Sequence, residues 1–415
     1  MNQPATKTVT ADTKAAVRLA FVTSFLDIGG STTWLCDLTG EFRKRGADVR
    51  VFSLRQDHPF HAEFEARGVD VVVQDNRRLI LEERLQATLK GVRDFQPTVV
   101  VGWVDEPAYE TLRYVPRGIP KILVLHADEE RVYQGAKPYG DYADHVIVLS
   151  HKMAATAAPY FQSSRTSIRY IRLGVEVPES PLRRDHLQDQ PLRILYIGRL
   201  HDAQKRVRLF PTILRDLGAT GMPFTWTIAG DGPERAYLES AMVTNNPAQV
   251  ARLIGNVAYS EVPALLCGHD VFLLPSAYEG MPHTLLEAMG HGLVPVVTDL
   301  ASGIREVIDE TNGKLVEMND IAGYARAIHG LHEHRDQMIT MALAAQERVR
   351  EKFSIRAMTD EWMALVARPH ATAGTWPEGF EIKRPLIRNY SQWTFPEPFR
   401  TLRRLQKSAV GWFWR

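Results

Sequence analysis

Short apolar runs recur along the chain, and the gaps between several of them are wide enough for a helix. The first, Val17–Thr23 (VRLAFVT), is followed by a glycine pair, Gly29–Gly30, and then by a stretch of helical period. From about Ser31 to Arg45 that stretch places Trp34, Leu35, Leu38 and Phe42 on one face, and Gly46 closes it. Further runs lie at Asp48–Leu54 (DVRVFSL), Asp70–Val73 (DVVV), Thr98–Trp103 (TVVVGW), Lys121–His126 (KILVLH) and His145–Leu149 (HVIVL). Strands that read as near-continuous Val/Ile runs and alternate with helices predict a parallel sheet covered on both faces.

The pattern stops near Gly174. Residues 175–191 (VEVPESPLRRDHLQDQP) are polar, carry prolines and have no period, which predicts a linker. A second series then begins: Leu192–Gly198 (LRILYIG), Phe224–Gly230 (FTWTIAG), Ala251–Gly255 (ARLIG), Asp270–Pro275 (DVFLLP), Leu293–Thr298 (LVPVVT) and Lys314–Glu317 (KLVE). The expected α/β architecture is two Rossmann-like parallel-sheet domains facing an interdomain cleft. A polar arm covers 1–16, the first domain 17–174, the linker 175–191, the second domain 192–352, a terminal helix 353–368 and an extension 369–415. In sheets of this kind ligands sit beyond the carboxyl ends of the strands, which here is the cleft.

Composition narrows the class of function. The chain has 415 residues, 50 Lys plus Arg against 49 Asp plus Glu, and a net charge of +1. A dedicated nucleic-acid binder would carry a large basic excess, so no nucleic-acid partner is expected. Two cysteines, Cys36 and Cys267, cannot build a disulfide scaffold and are expected to be free, buried thiols. No Cys/His cluster suggests a metal, and no metal is expected. The first residues have no apolar core of a secretory signal and no run of about 18 apolar residues occurs, so a cytoplasmic protein is expected.

The segment Leu273–Val297 (LLPSAYEGMPHTLLEAMGHGLVPVV) carries the most chemistry. A buried strand ends at Pro275–Ser276, a turn holds Glu279, Gly280 and Pro282, and a helix follows from about Thr284. Gly280 lets a ligand approach the backbone. The helix start offers free N–H groups and the positive end of a dipole to phosphate or sugar hydroxyls. Glu279 and Glu287 supply carboxylates that accept paired hydrogen bonds from vicinal hydroxyls. After the first strand of the second series come Arg199 and Lys205, a planar fork and a point charge suited to a diphosphate. Ala229–Pro233 (AGDGP) is not a dinucleotide loop, because Arg235 stands where the third glycine is required.

These motifs resemble retaining glycosyltransferases of family 4, known as glycosyl transferases group 1, which have the GT-B fold. PS-x-x-EG-x-P-x-x-x-LEAM-x-x-G-x-P-V-V is similar to the family's donor signature, with Glu279 and Glu287 as its Glu-x7-Glu pair. Tyr196–Leu200 with Lys205–Arg206, Ile228–Arg235 (IAGDGPER), Leu253–Val257, Ser302–Val307 and Asn312–Val316 continue the series in order. The resemblance spans about residues 17–366 and is weaker in the first half.

It implies a hexosyltransferase that moves a sugar from a nucleoside-diphosphate sugar to a hydroxyl of a glycan or lipid-linked glycan, with retention and without a metal or other cofactor. It implies reaction-centre roles for His126, Glu279, Arg199 and Lys205. It implies donor binding by Gly29, Gly30, Gly198, Gly230, Gly280, Met281, Pro282, His283, Thr284, Leu285 and Glu287. Ser150 reads as a helix cap. Leu173 replaces the asparagine usual before the linker. The terminal helix is expected to cross back to the first domain. Rival readings are a nucleotide-sugar epimerase or sugar phosphorylase on the same fold, or a carbohydrate-binding protein without activity. The extension holds Trp376, Trp393, Trp412 and Trp414 and a basic end, 400–415. It reads either as an aromatic strap packed on the domains or as a contact with the inner membrane surface.

Overall fold

Each apolar run becomes a parallel strand. The structure, a computed structural model, describes residues 17–55, 59–73, 80–179, 190–245 and 249–367, with 376, 382 and 385–387. In the first half the strands are β1 (Arg18–Thr23), β2 (Asp48–Ser53), β3 (Asp70–Val73), β4 (Val99–Trp103), β5 (Lys121–Val124), β6 (His145–Val148) and β7 (Ser167–Tyr170). They form one sheet in the order β3-β2-β1-β4-β5-β6-β7, every pair parallel. The second half holds β8 (Leu192–Ile197), β9 (Phe224–Ala229), β10 (Ala251–Gly255), β11 (Val271–Leu274), β12 (Val294–Thr298) and β13 (Lys314–Val316), in the order β10-β9-β8-β11-β12-β13.

Both sheets reverse direction beside their first strand, between β1 and β4 and between β8 and β11. That reversal parts the loops that follow the two strands and opens a crevice at their carboxyl ends. β1 is buried along Leu19–Thr23 and β11 along its whole length, as strands covered by helices on both faces must be. The helix Gly30–Lys44 lays Trp34, Leu35, Leu38 and Phe42 into the first core.

The chain returns to the first half through the helix Ile355–Val366. Val175 N donates to the Phe353 carbonyl at 2.9 Å and Ile355 N to the Val175 carbonyl at 2.8 Å, so the outgoing and incoming segments run side by side. Trp34 Nε1 donates to Met358 Sδ at 3.1 Å, and the Trp362 ring lies 6.4 Å from Phe21 and 6.5 Å from Phe42.

Three sequence expectations need correction or completion. Cys36 is buried and its thiol is pushed up to about 12 by that burial, but Cys267 is exposed. It ends the short helix Val262–Cys267, whose buried positions are Val262 and Leu266, so its turn faces solvent. β7 was not expected. It is a half-exposed edge strand with the polar sequence SIRY, and it shows no apolar run to read. The arm 1–16, linker positions 180–189 and most of the extension, including 400–415 with Trp393, Trp412 and Trp414, lie outside the described residues. Within the extension, Ile382 and Ile387 pack with Leu54, Leu81 and Leu85, and Trp376 rests on the main core.

Candidate functional site

The cleft floor in the second half is a stack of loops that follow β8, β9 and β11. Gly198 N donates to the Ala229 carbonyl at 3.1 Å, and Gly230 N to the Gly255 carbonyl at 2.7 Å. Gly230 has φ +130, and a Cβ there would lie 1.9 Å from the Gly198 oxygen, so only glycine permits this backbone contact. Beyond Gly198, Tyr196 Oη donates to the Arg199 carbonyl at 2.8 Å. Arg199 itself reaches outward, and its Nη2 donates to Gln204 Oε1 at 2.7 Å. The Gln204 carbonyl accepts from Ala277 N at 2.7 Å, which ties the loop after β8 to the loop after β11.

That tie brings two charges together. Lys205, 9% exposed, donates from Nζ to Glu279 Oε1 at 2.6 Å. The two side chains lie 74 positions apart in sequence and are both nearly buried at the ends of neighbouring strands. Its neighbour Arg206 turns away: it takes a left-handed φ of 50 and donates to the Met318 carbonyl at 2.5 Å.

Gly280 meets the first half directly. The place of its missing Cβ is 3.4 Å from Asp128 N, 3.5 Å from Ala127 Cα and 3.6 Å from the His126 carbonyl, so the turn after β11 lies against the loop after β5. His126 is half-buried, and its Nδ1 is closed off without a hydrogen-bond partner among the described residues. Burial, with the Arg131 and Arg199 charges, brings its pKa down to about 4, so the imidazole is neutral at pH 7. From the other side, Gly303 N donates to the Gly280 carbonyl at 2.9 Å, and Met281 packs beneath Gly303.

Pro282 sets the start of the helix His283–Gly290, and its carbonyl accepts from Leu285 N at 3.2 Å. Leu285 anchors the helix in the core, while Thr284 and Glu287 stay partly open. Gly30, at the start of the first-half helix, sits over His283, 3.2 Å from where its Cβ would be to the His283 Cβ. Gly29 beside it has open space in the direction of a Cβ. Glu287 Oε2 lies 3.3 Å from His283 Nδ1.

His126, Gly198, Arg199, Gly230 and the turn Glu279–Pro282 therefore lie on loops that follow strands, Lys205 ends a short helix, and Gly29–Gly30 and His283–Leu285 lie at helix starts, with Glu287 one turn further along. Arg199 and Gly30 are exposed. Sequence reading missed a third group. Asp37, 3% exposed on the helix Gly30–Lys44, accepts from the Tyr259 hydroxyl at 2.8 Å on each carboxylate oxygen. Arg67 Nη2 lies 3.3 Å from Asp37 Oδ1, and His283 Nε2 lies 3.9 Å from Oδ2. Its only sequence signal was a carboxylate, Asp37, set among buried positions of an amphipathic helix. Ser150 caps the helix His151–Ala157, accepting from Met153 N at 3.0 Å, and Leu173 is buried. No group of three potential metal ligands occurs among the described residues.

Comparison with known proteins falls on the same elements. Residues 28–178 match the profile of Glycosyltransferase Family 4, and residues 191–334 that of Glycosyl transferases group 1. The chain is 31% identical over 211 residues to an amylovoran biosynthesis glycosyltransferase of Erwinia amylovora, covering 49% of this chain and 50% of that one. It is 22% identical over 354 residues to a lipopolysaccharide core biosynthesis glycosyltransferase of Rhizobium meliloti, covering 82% and 95%. The chain spans about half the length of the curated relatives that it matches at 29–31% identity. Among solved structures, an Anabaena protein, HepE, in complex with UDP superposes with a TM-score of 0.68 at 19% identity, covering 85% of this chain and all of that one. The two profiles fall in order on the two sheets that wall the cleft, and the chain belongs to the glycosyltransferase group 1, family 4 family, with the GT-B fold.

Proposed function

We propose that the protein is a glycosyltransferase that moves a sugar from a nucleoside-diphosphate sugar to an acceptor hydroxyl of a glycan or lipid-linked glycan. The observation that carries this reading is the Lys205–Glu279 pair, 2.6 Å apart at the mouth of the second-half crevice. A cation beside a carboxylate there is suited to a molecule that ends in phosphate on one side and hydroxyls on the other. Lys205, with Arg199 at the rim, takes the diphosphate, whose negative charge grows as the glycosidic bond breaks. Glu279 and the backbone amides of the turn 280–283 take the donor sugar. Glu287 takes the ribose, since a carboxylate accepts from two vicinal hydroxyls.

His126 stands where the first-half loop meets Gly280. As a neutral ring it offers the sugar a hydrogen bond without placing a charge beside the anomeric carbon. The two cations stand in for a metal on the diphosphate, so the reaction is expected to proceed undiminished in EDTA. Retention follows from the family resemblance. Its route is attack from the face of the leaving group, with a phosphate oxygen accepting the acceptor's proton. The UDP bound by HepE supports a uridine nucleotide as the first probe.

The test is donor hydrolysis and transfer across a panel of nucleotide sugars, with product anomers assigned by NMR. Lys205→Ala and Glu279→Ala are each expected to lower turnover about a hundredfold or more while the thermal unfolding of the protein persists. Near-normal turnover in both variants overturns the reading.

A further inference from the structure

Between the two halves lies a polar cluster that substrate contact alone does not explain. Asp37 comes from the first half. Tyr259, His283 and Glu287 come from the second, so Asp37 stands beside them only because the two halves meet. Asp37 accepts from the Tyr259 hydroxyl at 2.8 Å on both oxygens. His283 is 6% exposed, and its Nδ1 faces Glu287 Oε2 at 3.3 Å. Its Nε2 is buried, has no hydrogen-bond partner among the described residues, and stops 3.9 Å short of Asp37 Oδ2. That gap is too narrow for a water and about an ångström too wide for a hydrogen bond.

We propose that Asp37 is a positioning residue: it draws on the His283 imidazolium across the cleft, and through that ring fixes Glu287 for the ribose only when the two halves are closed. The inference rests on the assignment of the ribose to Glu287. It makes the donor grip of one domain depend on a carboxylate of the other, in the manner of the outer carboxylates that orient an imidazole from behind. A carboxylate so deeply buried is retained at a cost unless it is paired, and the pairs available to it all lie across the cleft or on the short helix His61–Ala66 and its end.

The charges around the ring give the device a pH window. Facing it are Asp37 on the first-half helix, Glu287 on its own helix, the Tyr259 phenol, and Arg67 with its partner Glu63 behind Asp37. Burial raises Asp37 to about 6, against the opposing pull of His283, the Tyr259 bond and Arg67. Burial alone would lower the His283 value, but Glu287 and Asp37 outweigh it and hold the ring above its ordinary 6.5. Below about pH 6 Asp37 takes a proton and loses its hold, and above the raised imidazole value His283 loses its proton. Donor grip is therefore greatest in the window between them.

The experiment is calorimetric titration of the full chain with UDP, from about pH 5 to about pH 9, which brackets the imidazole range. The wild-type protein is expected to bind most tightly in the window and about tenfold more weakly on either side, the effect of one hydrogen bond to a charged group. In Asp37→Asn the acidic limb disappears and the alkaline limb moves toward acid, because one of the two charges that raise His283 is gone while Glu287 remains. In Tyr259→Phe, Asp37 loses a bond that favours its ionised form, so the acidic limb moves toward higher pH. A residue that only supported the fold would weaken binding without moving either limb. Glu287→Ala separates the two layers. If Glu287→Ala weakens UDP while both limbs stay fixed in Asp37→Asn and Tyr259→Phe, the inference falls alone. If Glu287→Ala leaves UDP affinity unchanged, the ribose assignment falls and takes the inference with it.

Discussion

At Gly230 a single hydrogen atom decides whether the second-half loops can stack. Any side chain there must relieve a 1.9 Å approach to the Gly198 oxygen at a φ of +130 that L-residues rarely adopt. Gly230→Ala is expected to destabilise the protein by about 3 kcal/mol or more, as a strained backbone and a backbone clash together. Chemical denaturation measures this, and a loss near zero would show that the loop relaxes. Gly230 was marked by a local motif, the strand-end turn Ala229–Pro233 within the stretch that resembles the family, a signal that needs no partner to be read. It could not mark Asp37 in the same way. Tyr259, the residue that explains Asp37, is 222 positions away, and only the pairing of the halves brings them together. Glu279 and Lys205 are intermediate. Each was legible as a motif, but their 2.6 Å contact follows from the tie between two loops that no spacing expresses.

Elements buried on both faces were legible because their environment leaves one solution. β1, β4, β8 and β11 each sit inside a sheet under helices, so their runs are almost purely apolar, whereas the reversal of strand order beside β1 and β8 came only with the structure. β7 was missed for the converse reason. It closes the sheet, pairs on one side only, and half its surface is wet, so its residues answer to solvent as much as to the core. The terminal helix Ile355–Val366 was legible as a helix, and its destination was given only by family likeness. What fastens it is Trp362, fully buried between Phe21 and Phe42. Trp362→Ala leaves a cavity that helix and sheet cannot collapse into, and about 3–5 kcal/mol of stability is expected to go with it. Trp362→Phe keeps most of the ring contact and is expected to lose less than half as much. Equal losses in the two variants would mean that the indole is not what holds the helix to the first half.

Across the whole molecule the near-zero net charge conceals a division of labour between ionic groups. Some charges wait for a ligand, and others hold the halves against each other. Glu306, on the short second-half helix Ile304–Val307, is of the second kind. Its Oε1 accepts from His151 N at 2.8 Å, and its Oε2 from the Tyr170 hydroxyl at 3.1 Å. Ser150 already caps the same first-half helix by accepting from Met153 N, so the His151 N–H is among the helix-start groups left for a partner from the other half. The bridge is partly exposed, and water can replace it when the halves part. Glu306→Ala is therefore expected to cost closure about 1 kcal/mol, roughly a fivefold rise in the ratio of open to closed molecules. Small-angle scattering of the unliganded variant is expected to show a larger radius of gyration than the wild-type protein, and saturating UDP is expected to restore it, since a ligand gripping both walls favours the closed form. Thermal unfolding should change little, because neither core is touched. A radius and a UDP affinity equal to those of the wild-type protein would place the hinge energy elsewhere. The Asp37–Tyr259 contact, buried where this one is wet, would then carry more of the closure.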